Sequence, residues 1–86
     1  MEYYFECQEN YVKDIDNEAI VFNIASGRSF VLNETTKYIV NNINDYTLDE
    51  IIKRLCENYE IAYEVAYRDC MKVMGDLLKY NIIKER

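Results

Sequence analysis

From Tyr11 to Leu32 short strand-like runs, read with a period of two, are separated by turn-prone residues, and from Asn33 onward the apolar positions recur every three or four residues. That change of period predicts strands first and helices afterwards. Tyr11 to Ile15 and Glu18 to Ile24 flank the turn-prone pair Asp16-Asn17, the pattern of a short antiparallel hairpin. On the second strand Ile20, Phe22 and Ile24 share one face and Ala19, Val21 and Asn23 the other, and the bulkier apolar set is the predicted core face. Ala25-Ser26-Gly27-Arg28 supplies the next turn, with Gly27 free to take a positive φ. Ser29 to Leu32 then resumes the alternation, with Phe30 and Leu32 inward and Ser29 and Val31 outward. In residues 1–10, Tyr3, Phe5 and Cys7 alternate, which reads either as a further strand or as a loose arm.

Thr36, Ile39, Val40 and Ile43 form a helical stripe with Asn33 as its cap, and the run Asn41-Asn42-Ile43-Asn44-Asp45 ends it. Thr47-Leu48-Asp49-Glu50 matches a capping box, in which Thr hydroxyl and Glu carboxylate each satisfy a backbone donor. Leu48, Ile51, Ile52, Leu55 and Cys56 follow at helical spacing. A third helix is predicted from Tyr63 to Tyr80, its buried stripe carrying Ala66, Cys70, Val73, Met74, Leu77 and Leu78. Gly75 weakens it by ~1 kcal/mol relative to Ala. Asn81 stops the helix, and Ile82-Ile83 is an apolar tail able to pack back on the core. Strands followed by three helices define an α+β layout, with helices on one side of an antiparallel sheet.

The 86 residues suit one domain with one small core, and the absence of Pro and only two Gly leave no linker composition. Nine Tyr within a 50% apolar composition assign much of the burial to rings whose hydroxyls reach the surface. A net charge of −6 opposes binding to nucleic acid or to an anionic membrane, since both rest on Lys and Arg. No apolar run approaches the ~20 residues that span a bilayer, and the start Met-Glu-Tyr-Tyr-Phe-Glu lacks a signal-peptide pattern, so the expected location is cytoplasmic.

Cys7, Cys56 and Cys70 are odd in number, lack metal-ligand spacing and have no His to complete a mixed site, so reduced structural thiols are expected. No serine-nucleophile motif, phosphate-binding Gly-rich loop or acidic metal cluster is present. The carboxylates Asp14, Asp16, Glu18, Asp49, Glu50 and Glu57 fall at a turn or on a polar helix side, where solvation accounts for them. The expectation is a non-enzyme that needs no cofactor and no metal. One constellation remains, the strand ending at Leu32 beside the third helix. If that strand lies at the sheet edge, its unpaired backbone can receive an extended peptide while the helix shapes pockets for alternate side chains.

Glu18-Ala19-Ile20-Val21-Phe22-Asn23-Ile24, Ser26-Gly27-Arg28, Leu32-Asn33-Glu34-Thr35, Thr47-Leu48-Asp49-Glu50-Ile51 and the final Leu77 to Ile83 together resemble the PqqD family, whose relatives include the RiPP recognition elements. The similarity runs in order over about residues 11 to 83, through motifs that are individually degenerate. It implies a winged-helix-like fold of three N-terminal strands and three helices. It also implies binding of the leader of a ribosomally made precursor peptide as an added strand, for delivery to a radical S-adenosylmethionine maturase or a leader peptidase. Ala62 stands where relatives usually place an Asp or Ser cap, and Asn81 where they usually place Gly; Asn itself adopts the left-handed C-cap.

By this resemblance, Arg28, Ser29, Phe30, Val31 and Leu32 would pair with the leader, and Asp69, Val73, Asp76, Leu77 and Tyr80 would form the opposite wall. Alternation and helical spacing alone account for Phe30, Leu32 and Leu77 as core. Val73, Tyr80, Asp69 and Asp76 either line a groove or rim the core. Arg28 is either a solvated turn residue or the partner of an acidic leader residue, and Asp69 and Asp76 are candidates to select a basic one. Two other readings stand beside this one. A small winged-helix transcriptional regulator is opposed by the third helix, which sets Arg68, Lys72 and Lys79 against Glu64, Asp69 and Asp76. A homodimer through the same strand edge would compete with leader binding.

Overall fold

A computed structural model of the chain describes residues 2–86. The elements are β1 (Tyr3–Phe5), β2 (Asn10–Ile15), β3 (Glu18–Asn23), β4 (Arg28–Leu32), α1 (Glu34–Asn42), α2 (Leu48–Tyr59), α3 (Tyr63–Lys79) and β5 (Ile83–Glu85). β2, β3 and β4 form an antiparallel meander in that order, and β1 pairs antiparallel with β5 in a separate two-stranded sheet. The predicted α+β order of strands and three helices is therefore observed. The undecided N-terminal segment is a strand, Tyr3–Phe5, tied to the tail by Tyr3↔Glu85 pairing and by the Phe5 N–H donating to Asn44 Oδ1 at 2.7 Å. Met1, the first residue of that segment, lies outside the described residues.

β3 presents to the helices the face opposite to the one expected, whereas β4 turns Phe30 and Leu32 inward as expected. Ala19, Val21 and Asn23 are buried, whereas Phe22 is 42% and Ile24 71% exposed. The reason is register. β3 and β4 pair as Val21↔Phe30 and Ala19↔Leu32, so once Phe30 and Leu32 point inward, Ala19 and Val21 must do so too. Burial of Asn23 is made tolerable by its partners: its Nδ2 donates to Asn10 Oδ1 at 2.8 Å, and its own Oδ1 accepts the Ser26 N–H at 2.8 Å. Asn10 Nδ2 donates in turn to the Glu6 and Asn81 carbonyls, each at 2.9 Å, joining the N-terminal arm, the hairpin and the end of α3. A satisfied buried network of this kind fixes a pairing, because breaking one member strands the others. Tyr11, Ile20, Phe22 and Val31 are left on the outer face, with the Tyr11 and Phe22 rings 6.4 Å apart.

The core lies between the inner sheet face and the helices and contains Val21, Leu32, Ile39, Ile51, Ile52, Leu55, Met74, Ile82 and Ile83 among its members. Fully burying each such side chain contributes about 1.5–3 kcal/mol. The predicted stripes of all three helices supply this core. Local signals also hold: Asn33 Oδ1 accepts the Thr36 N–H, and the capping box of Thr47 with Glu50 is complete. α3 begins at Ala62 without a side-chain cap. It ends in a Schellman motif: Asn81 takes φ 60°, its N–H reaches the Leu78 carbonyl, and the Ile82 N–H reaches the Leu77 carbonyl. The motif reverses the chain, so that Ile82 returns beneath α3 and β5 can meet β1.

Candidate functional site

β4 is an edge strand of the meander. In an antiparallel ladder each residue directs its backbone groups to one neighbour or the other in alternation. The Ile24 N–H donates across to the Glu9 carbonyl at 2.7 Å, which assigns Phe22, Ile20 and Glu18 to β2 and leaves Asn23, Val21 and Ala19 for β4. Their β4 partners are Arg28, Phe30 and Leu32. Ser29 and Val31 consequently turn their N–H and C=O groups toward the open edge, while Phe30 and Leu32 turn their side chains toward the helices.

Across that edge stands the C-terminal half of α3. Phe30, Val31, Leu32, Val73, Asp76, Leu77 and Tyr80 line a cleft of ≈ 210 Å³, together with Thr36 and Ile82. The Phe30 and Tyr80 rings close its end, with centroids 4.7 Å apart and planes inclined at 36°. Beyond this ring pair a shallower depression of ≈ 410 Å³ is lined by Arg28, Lys79, Glu9, Asn23 and Asn81 among others, and it shares Phe30 and Tyr80 with the first. Lys79 Nζ sits 5.5 Å from the Tyr80 ring centroid, an arrangement in which the ring face attracts the ammonium.

Seven of the ten residues expected from sequence thus meet in the cleft. Arg28 lies in the adjoining depression. Ser29 contributes to the edge through its backbone, its side chain being on the outer face. Asp69 is exposed two helical turns before Asp76 and is absent from the cleft lining. Sequence reasoning missed Thr36 and Ile82 as cleft residues and Lys79 as a residue of the adjoining depression. Pattern places the first two in a helix stripe and an apolar tail, and their common position depends on a chain reversal at Asn81 that spacing alone does not aim.

Resolved proton affinities reflect helix-end contacts and one buried thiol. The Tyr63 hydroxyl donates to Asp49 Oδ1 at 2.7 Å, and this bond, aided by Lys53, holds the Asp49 carboxyl low while Asp49 holds the Tyr63 phenol high. The capping contacts of Thr47 likewise lower Glu50, and Glu34 raises Tyr59. Burial, assisted by nearby Asp69, pushes the Cys70 thiol up to about 11. A thiol so shifted is a packing group rather than a nucleophile. Among the described residues no group of three or more His, Cys, Asp or Glu could hold a metal ion, and no helix is long and apolar enough to cross a membrane.

A three-stranded meander whose last strand faces a helix across an apolar cleft defines an α+β fold with an unpaired strand edge set beside a helix. The chain belongs to the PqqD family: the family model described as coenzyme PQQ synthesis protein D matches residues 18–83, as the ordered motifs of the sequence imply. Among solved structures, a chain described as TbiB1 in complex with the TbiA(beta) leader peptide superposes with a TM-score of 0.87. The match covers 96% of both chains at 17% identity, a likeness of fold. No curated protein sequence matches the chain.

Proposed function

We propose that this protein is a non-catalytic RiPP recognition protein: it binds the leader of a ribosomally made precursor peptide as an added strand on β4 and presents that precursor to a modifying or processing enzyme. The observation that carries the reading is the open β4 edge opposite α3. It offers unpaired backbone groups at Ser29 and Val31 beside an apolar cleft for alternate side chains. Membership of the PqqD family and the fold shared with a chain solved with a leader peptide support it. Arg28 to Leu32 form the pairing strand, and Val73, Asp76, Leu77 and Tyr80 the opposing wall, with Asp69 further along the same helix.

The protein contributes proximity rather than bond chemistry. Holding leader and enzyme together raises the effective concentration of the precursor at the active site. The enzyme is a radical S-adenosylmethionine maturase or a leader peptidase, and three cysteines without a disulfide suit action in the reducing cytoplasm. The test is a fluorescence-polarisation titration with the N-terminal segments of short open reading frames encoded beside this gene. Saturable binding by one of them, lost when that segment is scrambled, is expected. Absence of binding by any, or a stable dimer in solution whose mass no such peptide changes, contradicts the proposal.

A further inference from the structure

The two ends of the β4 cleft differ in charge. At the Arg28 end, Arg28 and Lys79 line the depression with Glu9 as the opposing carboxylate. At the Leu32 end the cleft is lined by Asp76 with no cation, and Asp69 follows two turns earlier on the same flank of α3. The salt bridges among the described residues join Lys37 to Asp14, Lys53 to Asp49 and Lys84 to Glu6, so Arg28, Lys79, Asp69 and Asp76 are not consumed by ion pairs there. A locally cationic end on a chain of net charge −6 is not a consequence of composition.

From this arrangement we infer that the cleft selects an extended peptide of fixed charge order, added antiparallel to β4: a Lys or Arg, an apolar residue two positions later and an Asp or Glu two positions after that. The inference rests on the strand-addition reading and deepens it. Antiparallel addition continues the pairing already used by β2, β3 and β4. The N–H and C=O groups of Ser29 and Val31 set the ladder, so peptide residues opposite Arg28, Phe30 and Leu32 direct their side chains toward α3. The residue opposite Phe30 enters the apolar cleft between Leu77 and Tyr80. In antiparallel order the preceding cleft-facing residue lies opposite Leu32, toward Asp76, and the following one lies opposite Arg28 and Lys79. Spacing of two and four residues follows from the pleat, and the order of the charges follows from the direction of the strand.

The experiment is selection of a displayed random-peptide library on the full chain, followed by polarisation titrations of synthetic binders. Enrichment of basic, apolar and acidic residues at positions i, i+2 and i+4 is expected. Exchanging the two charges should weaken binding about 3- to 10-fold, as expected for two partly exposed ion pairs, with the difference shrinking in ~1 M salt. The variant combining Arg28→Glu, Lys79→Glu and Asp76→Lys should prefer the exchanged peptide. Binders that Val31→Pro abolishes but that show no charge order, or the reverse order, overturn the selectivity while leaving strand addition standing. Failure to recover any binder sensitive to Val31→Pro overturns strand addition itself, and the selectivity with it.

Discussion

The meander has two edges, and they are finished differently. β2 carries Lys13 and Asp14 in its exposed stretch, and Asp14 lies 3.4 Å from Lys37 of α1, whose ammonium also reaches the Asp16 carbonyl at 2.8 Å. Charges along an edge, and a long side chain folded across its end, discourage another strand from pairing. β4 has no charged residue between Arg28 and Leu32 and faces α3 across a cleft. The same sheet thus guards one edge and leaves the other addressable, and the difference arises from the charges on β2 and from the position of α3 opposite β4, since strand order treats the two edges alike.

Matched substitutions sharpen this contrast. Val31 and Asp14 both have exposed side chains, and both turn their backbone N–H away from β3 at an outer edge of the meander, so Pro at either site removes an edge donor without removing a ladder bond. Val31→Pro should weaken peptide binding by at least about 30-fold, because the donor is lost and the ring obstructs the incoming strand. Asp14→Pro should leave affinity within about twofold. Circular dichroism confirms that each variant folds, and equal losses at both sites would erase the distinction.

The next effect concerns the joint between the edges. Asn23→Ala leaves Asn10 Oδ1 and the Ser26 N–H without their partner, so folding stability should fall by about 2 kcal/mol in urea titrations. A smaller change, on the order of 1–2 kcal/mol, is expected from pH through Cys70 on α3, the helix that walls the open edge. Its unfolded thiol ionises near the ordinary value of 9.0 and its folded thiol near about 11, so between those values the unfolded state loses the proton first. Stability from this group is therefore complete below pH 9 and declines as pH rises toward 11, and Cys70→Ala should flatten that decline. Smallest of all, Asp14→Asn should change stability by less than about 0.5 kcal/mol, since its ion pair with Lys37 is largely exposed on the Asp side.

Much of this architecture can be read from the chain because its causes are local. The shift from a period of two to 3.6 near Asn33, the capping box at Thr47 and the left-handed stop at Asn81 each act within a few residues. Apolar bulk points to the wrong face of β3, since Ile20, Phe22 and Ile24 outweigh Ala19, Val21 and Asn23, whereas the inner face is chosen by pairing parity with β4 and by the Asn10–Asn23 bond. The partner of β1 lies some eighty residues away at Glu85, beyond any local pattern. As for the cleft, its helix wall and its strand wall were each visible as patterns, and the resemblance to PqqD proteins joined them. Thr36 and Ile82 become cleft residues, and Lys79 a residue of the adjoining depression, only through the tertiary arrangement.

Amide hydrogen exchange, read by NMR residue by residue on the chain with and without a saturating bound peptide, addresses the β4 edge most directly. The account predicts that the Ser29 and Val31 amides, which face the open edge, exchange far more slowly in the complex, while the Val12 and Asp14 amides on the opposite edge are unchanged. Bound peptide that leaves Ser29 and Val31 unprotected, or that protects the β2 edge instead, would contradict it.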